Sequence, residues 1–447
     1  MTKRVYQRAP APSLPCVILH GILDMVDNGR DVAALLSALP GLTLPPELVA
    51  LRDLGAVVNL ADHWPVVQVA KIPIQHARLG IAALPVFTGI KLGSGDAALA
   101  WLDVALPTTM PVTLSVSGKD FGTSYRLCVR PAQDILARCV NVQSVSIVSE
   151  ISPAATAAYV AAISATHLQS LDINAWAQPM VDACAIVAWL QGPNAASLTL
   201  GCDSVRDPMA LASAIQNCST LSSLRLVEAV DVQAALVASA GNLHHVTALS
   251  LRQFGVGDQL ARDLLMKLDH SKVRSFALDL APVDDDDETP VADVLTALAE
   301  CSLLEALCLD KLRLSTVPTS GNCAQLSTVA VRAATFETPD DVITLIQWLS
   351  TSQRLTSLDL SETSLGQAGV AALTEALPAW IARGLASLTL RATGLSDKDA
   401  AKLAAAIVSS HKRQHLAIDL TDNELTPYSV QLLTTTLGTT PNVTLSL

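Results

Sequence analysis

Aromatic residues make up only 3% of the 447-residue chain. A core with so few rings cannot be one large jigsaw anchored on Phe and Trp. It has to be built from many thin, similar layers, which makes internal repetition the first thing to look for. Basic residues are also scarce, 29 against 41 acidic ones for a net charge of −12, and no run of Lys or Arg occurs. A nucleic-acid or anionic-lipid binder would carry a basic stripe, so those partner classes are excluded.

Catalytic and metal signatures are missing as well. No GxxxxGK[ST], GxSxG, HExxH or GxGxxG occurs, and the nine cysteines form no CxxC pair and no Cys/His cluster at zinc spacing. An odd number of scattered thiols argues against a disulfide framework. His244-His245 reads as a solvated pair in a helix-to-strand link. The acidic run Asp284–Glu288 reads as a loop insertion, because a calcium loop needs interspersed Gly and alternating ligands. No enzyme activity, cofactor or metal is expected.

Long apolar runs are absent although the mean hydropathy is positive. The best candidate, Ile151 to Leu171, contains Ser152, Pro153, Thr156, Ser164, Thr166, His167, Gln169 and Ser170. That is too polar for a span needing about 20 apolar residues. At the N-terminus Lys3, Arg4 and Arg8 precede an apolar segment, but Pro10, Pro12 and Pro15 interrupt it, and His20 and Asp24 lie within. This makes a poor signal peptide. The expected location is cytoplasmic or nuclear, with no membrane partner.

What the chain does contain is one phrase, repeated: apolar, two residues, apolar, one residue, apolar. It reads Val142-Gln-Ser-Val145-Ser-Ile147, Leu168-Gln-Ser-Leu171-Asp-Ile173 and Leu221-Ser-Ser-Leu224-Arg-Leu226. Further copies centre on Leu249, Leu307, Val329, Leu358 and Leu388, and weaker ones on Leu198, Phe276, Ile418 and Leu445. The last two apolar positions lie two apart, so they share one face of a short strand, and the residue between them faces the other way. Helix starts follow, marked by a capping residue before Pro: Ser152-Pro153, Asp207-Pro208, Thr289-Pro290, Thr338-Pro339 and Thr426-Pro427. A strand–helix unit this small cannot bury its own apolar face, so neighbours must stack. Cys139, Cys218, Cys301 and Cys323 each fall six residues before a central strand apolar, which marks them as packing positions.

The stretch Leu355 to Leu377, LTSLDLSETSLGQAGVAALTEAL, resembles a leucine-rich repeat of the ribonuclease-inhibitor-like class. The resemblance covers roughly residues 140–447. It implies an α/β leucine-rich-repeat solenoid, curved, with eleven or twelve parallel strands on the concave side and helices on the convex side. The family places Asn three residues after the last strand apolar. Here only Asn423 keeps it, and Thr363, Thr393, Ala334, Leu312 and Phe254 stand elsewhere. That departure implies a largely missing side-chain ladder and irregular turns. Before residue 140 the phrase fades; Pro111 to Val116 and Val67 to Val69 are the candidate strands of atypical repeats spanning 67–139.

Residues 1–12 read as a disordered lead, and 13–66 as a small helical segment. Within it, Val17, Ile18, Ile22, Leu23 and Val26 form one apolar face after Leu14-Pro15, and a second helix spans about Arg30 to Leu39. This start resembles an F-box, which implies docking on a Skp-type adaptor of a cullin–RING ubiquitin ligase through Leu14, Pro15, Val17, Ile18, Ile22 and Leu23. Trp64 stands where the family has a late tryptophan, after an apparent insertion from Gly41 to Gly55. The other reading, a helical cap over the first repeat, stands beside it.

Function therefore reads as a non-catalytic protein-binding scaffold, either the substrate receptor of such a ligase or a sensor or inhibitor with no ligase role. In each repeat the residue between the last two apolars and the two after them face the concave side. They are Arg225, Glu228, Arg252, Gln253, Asp279, Asp310, Lys311, Arg332, Asp359, Glu362, Arg391, Asp419 and Asp422. Mixed signs suit a protein partner better than a polyanion, with Arg252 and Arg332 as the expected anchors.

Overall fold

A computed structural model describes residues 16–39 (24 and 27 apart), 44–93, 110–117, 141–148, 167–175, 180–253, 259–280, 291–314 (293 apart), 316–318, 323–410 and 414–447. The chain divides into two compact units, Met1–Gln178 with Gly192–Asn194, and Pro179–Gln191 with Ala195–Leu447.

The first unit opens with helices Cys16–Leu23, Gly29–Ser37 and Pro46–Gly55. Asn28 caps the second by accepting from the Arg30 amide, and Pro46 begins the third, where a missing N–H costs nothing. The apparent insertion from Gly41 to Gly55 thus contains a helix of its own. Leu23, Val32, Leu36, Leu48, Leu51 and Leu54 are buried together with Leu60. Five parallel strands follow in chain order: Val66–Gln68, Gly89–Gly93, Val112–Ser117, Val142–Val148 and Ser170–Asn174. Val145 pairs with Leu171 and Ile147 with Ile173, so both phrases of this unit lie in the expected phase. Gly89–Gly93 is a strand that carries no such phrase.

In the second unit ten parallel strands run from Ser197–Gly201 to Val443–Ser446. Their central apolars, Leu198, Leu224, Leu249, Phe276, Leu307, Val329, Leu358, Leu388, Ile418 and Leu445, pair position for position. All but Leu445, on the last strand, are buried, and each fully buried Leu contributes about 1.5–3 kcal/mol. Helices connect the strands and pack in succession, Ala183–Leu190 through Val294–Leu298 and Pro339–Ser350 through Gly438. The shortest repeat, Leu307 to Val329, has no helix among its described residues.

Capping follows the sequence at three of the five expected starts, and Ser152-Pro153 and Thr289-Pro290 lie outside the described residues. Asp207 accepts from the Ala210 amide at 3.1 Å, Thr426 from the Ser429 amide at 3.4 Å, and Thr338 with Asp341 forms a reciprocal capping box. Small residues bring the helices close: a Cβ on Gly369 would lie 2.5 Å from Val342 Cγ1. Cys218, Cys301 and Cys323 are buried in these layers, and burial pushes the Cys301 thiol up to about 11. Cys139 lies outside the described residues.

One element has no advance signal in the phrase. Two residues after the last strand apolar, the chain turns through a left-handed residue: Glu228, Lys311, Ala333, Glu362, Ala392 and Asp422 have φ of 61°, 54°, 46°, 59°, 51° and 60°. The amide of this residue bonds the next repeat, as Ala333 to the Ser361 carbonyl and Ala392 to the Thr421 carbonyl. What happens one residue later depends on the side chain there. Asn423 accepts from the Thr393 and Leu395 amides and donates to the Leu390 and Leu420 carbonyls. Thr363 does part of that task with a hydroxyl, accepting from the Ala334 amide at 3.2 Å and donating to the Val331 carbonyl at 2.9 Å. The expected loss of the ladder is therefore corrected at Thr363 and Thr393, where a hydroxyl stands in for the amide. Where Leu312 and Ala334 occupy the position, a second parallel sheet of Val291–Ala292, Arg313–Leu314 and Thr335–Phe336 supplies backbone partners instead.

Two outcomes are expected. A left-handed non-Gly residue costs about 1–2 kcal/mol, so Ala392→Gly should raise the urea midpoint. Ala401→Gly, on the exposed side of helix Asp397–Ser409, should lower the midpoint, costing about 1 kcal/mol of stability. Equal effects of the two changes would remove the strain argument. In the first unit His63 is 2% exposed. Burial holds its pKa below 6.5, with Asp62 raising and Lys71 lowering it. The unfolded chain therefore binds the extra proton, so this contribution is complete above pH 6.5 and is lost as the pH falls below it. Hydrogen exchange of helix Pro46–Gly55 should accelerate on that acid side beyond the intrinsic rate, and His63→Gln should flatten the effect.

Candidate binding face

Alternation along each strand gives the sheet of the second unit two unlike faces. Leu249 and Leu251 are buried while Ala248, Ser250 and Arg252 remain partly accessible, and the same pattern holds at Ser275–Asp279 and Ala306–Asp310. The accessible face is the one on which the charged residues of the repeat line up. Parallel pairing sets Arg252, Asp279, Asp310 and Arg332 side by side on four neighbouring strands. Two residues back on the same face stand Ser250, Ala277, Cys308 and Ala330. The result is a floor of small side chains bordered by a row of charges.

The charges are partly matched within the chain. Arg252 Nε lies 3.0 Å from Asp279, Arg332 Nε 2.5 Å from Asp359, and Arg391 Nε 2.6 Å from Asp422. All three pairs are solvent-accessible; Arg252–Asp279 and Arg332–Asp359 contribute about 1 kcal/mol or less each. Burial raises the Asp359 carboxyl, but hydrogen bonds from Ser361 and Arg332 outweigh it and hold the group below the usual carboxylate range. Asp310 goes the other way: burial and then neighbouring Asp279 push it up, against the opposing pull of Arg332 and Lys311. Burial also raises the Cys308 thiol. Asp419 is held by the Thr421 amide and hydroxyl at 3.0 and 2.8 Å.

Arg225 and Glu362 are exposed, and Glu228 is half-buried at its left-handed turn. Gln253 is corrected. It is fully buried, and its amide donates to the Gln233 side chain beneath the sheet, so it is not on the face at all. Arg252 and Arg332, expected as anchors, are each paired with an aspartate. Sequence reasoning passed over Cys308, Ala277 and Ala330, although they occupy the same position between strand apolars that named Asp359.

At the other end of the chain the six adaptor residues separate. Leu14 and Pro15 lie outside the described residues, as do the side chains of Val17 and Ile18 on helix Cys16–Leu23. Ile22 is half-buried. Leu23 is corrected: at 1% exposure it belongs to the core, because Leu19 and Leu23, one helical turn apart, form the inward stripe. Trp64 donates its ring N–H to the Val26 carbonyl at 2.6 Å and packs against Phe87. Among the described residues no group of three His, Cys, Asp or Glu could hold a metal, and no helix is long and apolar enough to cross a membrane. The run Asp284–Glu288 lies outside them.

Strand, left-handed turn and helix, repeated with apolars in register, decide the architecture. The fold is a leucine-rich-repeat solenoid. No family model matches the chain, and no curated protein does. Among solved structures it is similar to an internalin of Listeria monocytogenes, 14% identical, covering 84% of this chain and 88% of that one with a TM-score of 0.40. It is also similar to a protein from Bacteroides fragilis, 11% identical, covering 75% and 64% with a TM-score of 0.25.

Proposed function

We propose that this leucine-rich-repeat protein is a non-catalytic scaffold that binds another protein on the accessible face of its sheet. The observation that carries the reading is the alignment of charged side chains on neighbouring strands, beside a floor of small ones, on a face opposite the buried leucines. Mixed signs favour a protein partner with complementary charges over a polyanion. A sensor or inhibitor would use the same face.

The reading is tested with a partner captured on the full chain. Arg252→Ala with Arg332→Ala removes two members of the row, and should weaken that partner about tenfold, roughly 1.4 kcal/mol, with the melting temperature unchanged. The Ala changes avoid placing new acids beside Asp279 and Asp359. Equal losses from Asp340→Ala and Glu375→Ala, on helices of the opposite side, would place binding elsewhere.

A second reading adds a ligase role, with the N-terminal segment docking a Skp-type adaptor. Three successive helices before the first strand favour it. Ile22→Glu with Ile18→Glu should then abolish co-purification with such an adaptor while the second unit keeps its melting transition. Retained co-purification, or no adaptor binding by the parent chain, ends the ligase reading and leaves the helices as a cap.

A further inference from the structure

Resting on the reading of the accessible face as a protein-docking surface, we infer that its partner presents a basic side chain, Lys or Arg, to Asp310, with the stem of that side chain lying across Ala277, Cys308 and Ala330. The face is short of one cation at that point. Arg252, Asp279, Asp310, Lys311, Arg332, Asp359 and Glu362 gather there, four acids and three bases. Arg252 is engaged with Asp279 and Arg332 with Asp359. Asp310 lies between these two pairs by strand register, and its carboxylate has no hydrogen bond or ion pair among the described residues.

Its surroundings make a further acid unwelcome and a cation favourable. Asp279 and Glu362 both act on Asp310 as like charges, and Lys311 and Arg332 only partly offset them. Strands about 4.8 Å apart leave no room for a water-filled gap between Asp279 and Asp310. The floor accounts for the class of side chain. Ala277 and Cys308, with the buried Ala330 beside them, form a small apolar shelf two residues back from the charged row. Lys and Arg have a long apolar stem and a charged head, the shape that covers such a shelf while reaching the carboxylate. A small cation would leave the shelf bare, and an acidic partner would add to the excess negative charge.

The test uses the full chain and three fluorescein-labelled ten-residue probes, alternating Arg–Ala, Glu–Ala and Ser–Ala. Asp310→Asn and Asp340→Asn change the net charge equally, so a difference between them reports the site and not the overall field. The Asp310 side chain has no hydrogen bond among the described residues, so Asp310→Asn should melt at or above the parent temperature. We expect the Arg–Ala probe to lose about fivefold in affinity with Asp310→Asn and under about twofold with Asp340→Asn, and to slow alkylation of Cys308. Equal losses in the two variants, or Glu–Ala binding as tightly as Arg–Ala, would overturn the inference. If the Arg–Ala probe ignores Asp310 while the captured partner is still lost on changing Arg252 and Arg332, the face binds proteins by other chemistry and only the cation assignment falls. If the partner also ignores those arginines, the docking surface itself falls.

Discussion

The structure depends on in-register parallel pairing of strands that cannot stand alone. Each repeat of the second unit exposes an apolar strand face and an apolar helix face that only its neighbours can cover. Side chains alternate along a strand, so a slip of one residue would turn every leucine outward. Leu224, Leu249, Phe276 and Leu307 therefore have to pair with one another, and they do. That restriction, imposed by the core, also fixes the other face. Residues one position past the last apolar are carried into a row whether or not their charges suit each other, which is how Asp279 and Asp310 come to be neighbours.

The same pairing determines how each repeat leaves its strand. Six repeats turn through a left-handed residue two positions past the last apolar, and five of them then use one of two devices. Thr363, Thr393 and Asn423 put a side chain into the turn. Leu312 and Ala334 cannot, and there a second narrow sheet takes over. The choice follows from hydrogen-bonding capacity at a single position, and it adjusts the path between strand and helix without disturbing the main ladder.

These facts explain what was legible in the sequence. The phrase was legible because apolar spacing reports burial directly, and every copy from Val145 onward is a strand in its expected phase. The left-handed turns were hidden because Ala333 and Ala392 carry no turn signal; stacking imposes their conformation. Gly89–Gly93 was hidden because its strand has Ile90 and Leu92 but no apolar three residues before them. On the face, phase gave the rows but not the pairings, which depend on which neighbour a guanidinium can reach. Gln253 misled for a related reason. It occupies the position at which other repeats turn through a left-handed residue, yet its side chain enters the core to meet Gln233.

The scarcity of aromatics that makes thin layers necessary also limits what the face can offer a partner. Interfaces draw most of their affinity from a few large anchors, usually Trp, Tyr or Arg, seated in desolvated pockets. No aromatic side chain stands in the rows from Ser250 to Ala330 or from Arg252 to Arg332, and Arg252 and Arg332 are already held by aspartates. A surface of that kind contributes flatness, close approach and fixed charges. The bulky, desolvated anchor then has to come from the other protein, and the small floor beside Asp310 is where the sheet leaves room for it.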